Sequence, residues 1–256
     1  SGVLGQRTFE KIIQSSDPTC FLETDQDMIE VSDGYIFSFA VDCGGGYAAG
    51  FYKLDLAGNL IWSKLLNIGD ESRCAAMVAA SNDEFYILVN NGDKPLLIKM
   101  DTQGNLISYK KFNTSIETSN GSDLLYHPTG QLTLIFIDKV MRLDSNENVL
   151  WSREYVVPLV SGYTTRLTAS AMTADGGYIL GTRATVASTT SASIIKLDAL
   201  GLVEWAKTYF NAPIYFRKFG IDSNDDIFAA TPDILLKLTS LGDTIWSKEF
   251  NLDFFF

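Results

Sequence analysis

His127 is the single histidine of the 256-residue chain, set in Tyr126-His127-Pro128 beside the Thr129-Gly130 turn. One imidazole cannot supply a multi-histidine metal centre, and at a turn it is expected to be solvated, not catalytic. Ser/His/Asp chemistry has no nucleophile elbow to support it, and neither a P-loop nor G-x-G-x-x-G is present. Gly44-Gly45-Gly46 reads as a flexible loop. Two segments imitate calcium loops: Asp144-Ser145-Asn146-Glu147-Asn148 and Asp222-Ser223-Asn224-Asp225-Asp226. Both place oxygen ligands on one side of a turn, but neither has the Gly and Glu that complete an EF-hand. Asp222, Asn224 and Asp226 are the metal candidates, with calcium as the ion and an ordinary Asx-turn as the competing reading. No distinctive acid pair for glycoside hydrolysis stands out.

The formal charge of −11 and pI near 4.5 argue against non-specific binding to nucleic acid or an anionic membrane, both of which need a basic face. No apolar run is long enough to span a bilayer. Cys20, Cys43 and Cys74 fit no zinc spacing and read as small buried hydrophobes. Ser1-Gly2 looks like an expression scar, so the compartment stays open, with the cell surface or exterior favoured.

Elements that could position a site come from a repeat. KLDLAGNLIWSKLLN at Lys53 returns as KMDTQGNLISYKKFN at Lys99, RLDSNENVLWSREYV at Arg142, KLDALGLVEWAKTYF at Lys196 and KLTSLGDTIWSKEFN at Lys237. Counted from the Asp (Asp55, Asp101, Asp144, Asp198; Thr239 in the last copy), the residue two back is basic throughout. The third residue on is Gly58, Gly104, Gly201 and Gly242, with Glu147 the exception. The seventh is Trp62, Trp151, Trp205 and Trp246, with Ser108 the exception, and the ninth is again basic. Asp and Gly suit a hairpin turn, Asp by bonding the backbone ahead and Gly by accepting positive φ. The simplest register sets the first basic residue opposite the Trp, where a cation–π or stem-on-ring contact would add about 0.5–1 kcal/mol.

A second hairpin precedes each of these, so every unit reads as four short antiparallel strands, A to D, with no long helix. That is the arithmetic of a β-propeller blade. The expected fold is an all-β propeller of five four-stranded blades, spanning 15–67, 68–113, 114–157, 158–211 and 212–251, in one domain. Residues 3–14 fall into the same frame as an extra strand D, with Gly5, Phe9 and Lys11 at the Gly, Trp and basic positions. The chain thus reads as a five-bladed ring or as a piece of a longer array, with Phe254-Phe255-Phe256 in a linker to a next strand A, as a plug at the seam or, the favoured reading, packed in the core.

The D-x-x-G-x-x-x-W-x-K pattern after an apolar strand resembles the tryptophan-docking repeat of quinoprotein-type propellers. It is closer still to the KLD-x-x-GN-x-x-W-x-K repeats of bacterial secreted and surface proteins. The turn is one residue shorter than the usual quinoprotein turn. The resemblance implies a propeller in which the motif is a packing device and leaves function open.

Variation between blades is the better guide to function. The B–C segments Asp42–Gly50 and Arg183–Ser193 read as long loops, and the D–A connector Pro158–Thr165 is also long. In propellers these share one face, so Asp42, Tyr47, Asn90, Asn91, Arg183, Thr189 and Thr190 are the candidate ligand residues. The expected function is a non-catalytic binding or scaffolding module for a protein or glycan partner, without cofactor, within a larger extracellular, surface or virion-associated protein. A quinoprotein-like oxidoreductase or carbohydrate-active hydrolase and a purely structural repeat are the competing readings.

Overall fold

Twenty β-strands and no helix occur among the described residues of the computed structural model, which are 21–42, 46–66, 72–81, 83–91, 94–112, 123–155, 164–186, 189–210 and 214–250. They form five four-stranded antiparallel sheets, each taken in chain order. The first holds β1 (Phe21–Val31), β2 (Gly34–Asp42), β3 (Tyr47–Asp55) and β4 (Leu60–Leu66). The second holds β5 (Ser72–Ala79), β6 (Glu84–Asn91), β7 (Leu96–Asp101) and β8 (Leu106–Lys111). In the third are β9 (Asp123–Tyr126), β10 (Leu132–Ile135), β11 (Lys139–Leu143) and β12 (Val149–Glu154). The fourth contains β13 (Thr164–Met172), β14 (Tyr178–Val186), β15 (Thr189–Leu197) and β16 (Val203–Phe210), and the fifth β17 (Lys218–Ile221), β18 (Ile227–Ala230), β19 (Ile234–Leu238) and β20 (Thr244–Glu249). The fold is an all-β propeller fold with five blades, and each sheet falls within one repeat span. The N-terminal copy with Gly5, Phe9 and Lys11, together with Cys20, Cys43 and Phe254–Phe256, lies outside the described residues.

The chain divides into two compact units, 1–118 and 119–256. In the first, apolar faces of two sheets meet through Ile36, Phe51, Met77, Phe85, Ile87 and Ile98. Cys74 is a free thiol in that core, and burial pushes it up to about 12, so it behaves as the expected small hydrophobe. In the second unit Leu167, Tyr178, Leu180 and Ile195 belong to one cluster, and Ile179, Ile194, Phe216 and Phe219 to another. Strand order explains the burial: β10 is buried along its whole length, whereas β20 is exposed along all of its own.

The hairpin register is the one the repeat predicts. Lys53 faces Trp62, Lys99 faces Ser108, Arg142 faces Trp151, Lys196 faces Trp205 and Lys237 faces Trp246. Immediately after each basic residue the register shifts, a recurrent β-bulge that bends strand C into the turn. Within the turn, Asp55 Oδ1 accepts from the Ala57 and Asn59 N–H groups, each at 2.8 Å, and Gly58 takes φ 81°. The Asn59 amide and these N–H groups hold the Asp55 carboxyl below its usual range. Glu147 takes the same left-handed conformation at φ 64° despite its Cβ.

The two supposed B–C loops are corrected to strand. β2 and β3 pair out to Asp42 and Tyr47, and β14 and β15 pair out to Val186 and Thr189. They carry little apolar alternation because small residues such as Ala49, Ala184, Thr190 and Ala192 fill the buried positions there, yet β-branched side chains favour extended backbone. Residues 158–163 of the long connector lie outside the described residues, and Thr164 and Thr165 begin β13.

Candidate functional site

The recurring residues are consumed by packing between consecutive blades. Trp62 Nε1 donates to the Thr102 carbonyl at 3.1 Å, and Lys64 Nζ donates to the Gly104 carbonyl, both in the turn of the next blade. Trp151 lies over Gly201 so closely that a Cβ there would stand 2.8 Å from the ring, and Trp205 lies over Gly242 in the same way. Tyr155 and Tyr209 donate to the Gly201 and Gly242 carbonyls, each at 2.6 Å. Arg153 Nε reaches the Leu200 carbonyl at 3.1 Å, and Lys207 pairs with Asp243 at 2.7 Å. The aromatic and the second basic residue of one blade thus grip the Asp-x-x-Gly turn of the following one.

The first basic residue does not make the expected cation–π contact with its cross-strand Trp. Lys64 and Lys207, two residues beyond Trp62 and Trp205 on the same strand face, lie 5.7 and 5.8 Å from those ring centroids. The first basic residue turns instead to the A–B turn of its own blade. Lys53 pairs with Asp33 at 2.7 Å, Lys99 with Glu84 at 2.6 Å and Lys196 with Asp175 at 2.8 Å. Burial works against the Asp175 carboxylate, but the Lys196 and Thr173 side chains and the Gly177 N–H outweigh it and hold its pKa at about 2. Lys53 is fully buried and also donates to the Thr102 carbonyl at 3.1 Å. Replacing Asp33 by Asn strands that ammonium and is expected to cost about 2–3 kcal/mol, whereas Lys53→Met costs less than about 1 kcal/mol. Urea unfolding of the two variants checks the order.

The calcium candidates occupy the same position in the fifth blade. Asp222 Oδ1 accepts from the Asn224 and Asp226 N–H groups at 2.8 and 3.0 Å, the geometry of an Asx-turn. The Lys237 ammonium sits between the two carboxylates, 3.2 Å from Asp222 and 2.8 Å from Asp226. Hydrogen bonds to Asp226 and Asp222 hold it protonated beyond its usual range.

His127 is corrected from solvated to buried, at 3% exposure. Its blade has no carboxylate at the A–B turn, and Arg142 is received there by neutral groups. Arg142 Nε lies 3.1 Å from Gln131 Oε1, and its Nη1 lies 2.7 Å from His127 Nε2 and also bonds the Tyr178 hydroxyl. Thr133 Oγ1 is 2.9 Å from both His127 Nε2 and the Tyr178 hydroxyl. Tyr178, fully buried at the start of β14, closes the network from the following blade. Burial, and then the Arg142 charge, push the His127 pKa down to about 4. The imidazole is a neutral acceptor enclosed by protein.

The candidate ligand residues sit at strand ends. In the first unit Asp42 and Tyr47 are the last cross-strand pair of β2 and β3, and Tyr47 stacks under Arg73, whose Cζ is 3.5 Å from the ring centroid. Arg73 in turn faces Asn90 across β5 and β6. The structure therefore joins Tyr47 and Asn90 through Arg73, which no sequence motif marks. The side chain of Asn91 lies outside the described residues, as does that of Thr189. In the second unit Thr190 Oγ1 is 3.4 Å from Thr185 Oγ1, and Arg183 faces Arg166. Counted from the β-bulge in strand A, Arg166 and Arg183 are the counterparts of Arg73 and Asn90. Arg166, Arg217 and Tyr215, which gather around Arg183, were again not marked by sequence. A groove of about 750 Å³ between β12 and β15–β16 is lined by Arg153, Tyr155, Gly201 and Lys207. Those are residues of the blade-to-blade grip.

No protein-family model matches the chain, and no curated protein matches its sequence. The likeness to quinoprotein-type repeats therefore rests on the motif. Solved structures are similar in fold. A protein of unknown function from Bacteroides caccae is 12% identical with a TM-score of 0.58, over 87% of this chain and 80% of that one. A protein from Lactobacillus plantarum is 13% identical with a TM-score of 0.57, over 84% and 68%. The Neurospora crassa Pan2 WD40 domain is 10% identical with a TM-score of 0.46, over 80% and 71%. No helix among the described residues is long and apolar enough to cross a membrane.

Proposed function

We propose that the chain is a non-catalytic binding module, a rigid propeller scaffold that engages a glycan or protein through the B–C and D–A ends of its blades. The observation that carries this reading is the division of labour between its residues. Asp, Gly, Trp and the two basic positions are the same in nearly every blade, and all serve turns or packing. The strand ends differ: Tyr47 with Arg73 and Asn90 in one unit, Arg183 with Tyr215 and Thr190 in the other. Rigid elements with variable tips are the usual arrangement of a binding scaffold. The enzymatic alternative draws no support from the single imidazole, which protein encloses, or from Asp222 and Asp226, which hold the Lys237 ammonium.

A glycan array tests the reading. The wild-type chain is expected to retain a defined glycan class, and a folded Arg183→Ala/Thr190→Ala variant is expected to lose it. An array that stays empty, together with calcium- and quinone-dependent absorbance or melting, would return the chain to the oxidoreductase reading.

A further inference from the structure

Arg166 and Arg183 are direct cross-strand partners in the β13–β14 pairing. Their side chains therefore leave the sheet on the same face, where like charges repel each other. Arg183 lies beside the ring of Tyr215, its Cζ 5.6 Å from the centroid, and Arg217 lies against the same ring at 4.5 Å. Lys218 follows immediately and opens β17, the strand packed beside β13. Three guanidinium side chains thus collect between two consecutive blades, in a chain whose formal charge is −11. Among the described residues no carboxylate pairs with any of them, and Asp233 in the β18–β19 turn makes no ion pair with them either. The buried Nε of Arg183 has no hydrogen-bond partner. A repelling pair and an unmatched buried donor on a charged group each cost stability, and a bound anion reverses both.

We infer that this end of the fourth and fifth blades binds a ligand through an oxyanion group, a carboxylate, sulfate or phosphate. Arg183 and Arg217 are the recognition residues, because a guanidinium fork matches such oxygens in pairs. Arg166 raises the local positive potential, which draws the anion in despite the acidic surface elsewhere. The inference rests on the binding reading above and gives it a chemical class.

The test is thermal unfolding of the whole chain titrated with sodium sulfate, sodium phosphate or sodium glucuronate, against sodium chloride at equal ionic strength. At least one of the three is expected to raise the melting temperature along a saturating curve, as ligand linkage requires. The salt that saturates at the lowest concentration identifies the oxyanion. Arg183→Gln and Arg217→Gln are each expected to weaken that anion by a factor of ten or more. Arg166→Gln is expected to melt higher than wild type in chloride, since it removes the repulsion, and to respond less to the anion. A merely structural Arg166 would give the opposite sign. If Arg183→Gln does not fold, the exposed Arg217→Gln decides alone. The inference is overturned if chloride matches all three salts, or if the variants keep the wild-type response. Neutral glycans retained on the array by Arg183→Gln and Arg217→Gln would sink the oxyanion site and leave the binding module standing. Saturable anion binding beside an empty array would do the reverse.

Discussion

Gly201→Ala is expected to destabilise the chain by about 2–4 kcal/mol, although it adds a single methyl group in a surface turn. Two costs combine. Gly201 takes φ 76°, where an L side chain meets its own backbone at a cost of roughly 1 kcal/mol. The added Cβ would also stand 2.8 Å from the Trp151 ring and 2.9 Å from the Tyr155 hydroxyl, an overpacking worth typically 1–3 kcal/mol. The ring's share of the second cost should vanish when the ring is removed, while the Tyr155 hydroxyl keeps its own. In a Trp151→Ala background, Gly201→Ala is therefore expected to cost about 1–2 kcal/mol less than in wild type, a coupling of about 1–2 kcal/mol across the pair. Urea unfolding of the four proteins in this cycle measures it. Additive costs would show that Trp151 does not constrain the turn.

That coupling explains why the repeat was so legible and the candidate site so much less so. Each repeated residue performs a local task, such as Asp55 bonding N–H groups two and four residues on, or repeats one contact at a fixed offset along the chain. Periodicity exposes such tasks without any knowledge of the fold, and it also predicted the pairing of Lys53 with Trp62. It could not say that Lys53 would prefer Asp33 to the ring, because the A–B turn and the C strand lie 20 residues apart. His127 failed for the same reason. Its neighbours in sequence are a turn, but its neighbours in space include Arg142 and Tyr178, 15 and 51 residues away. Arg73, Arg166 and Arg217 escaped notice because each stands alone in sequence, and only strand register and blade succession bring them to Tyr47, Arg183 and Tyr215. One signal was available: these three arginines lie outside the Asp-x-x-Gly hairpin motif, in a chain otherwise rich in acid. The hairpin ends were read as loops because Thr-Thr-Ser-Ala-Ser lacks apolar alternation, its buried positions being small residues such as Thr190 and Ala192.

The chain is expected to lose stability between pH 7 and pH 5 through His127, and a variant without the imidazole is expected not to. The sign follows from linkage. The folded pKa, near 4, lies below the ordinary value of 6.5, so the unfolded chain binds the proton first. Stability is therefore complete above about pH 6.5, falls as the pH drops below that value, and levels off only below about 4. The full loss is about 3 kcal/mol, of which roughly 2 kcal/mol appears by pH 5. Geometry supplies the cause. His127 Nε2 accepts from Arg142 Nη1 at 2.7 Å, and a proton placed there would face a second donor in a buried network without a carboxylate. Asp175, held at about 2, contributes over a separate and lower window, between its ordinary pKa and that value. Chemical unfolding of wild type and His127→Gln at pH 7, 6 and 5 checks the prediction. His127→Gln starts lower, since it forfeits the fitted ring, but its stability should be flat over this range. A parallel decline in both proteins would assign the pH dependence to the surface carboxylates, and with it the claim that the third blade relies on a neutral histidine would fall.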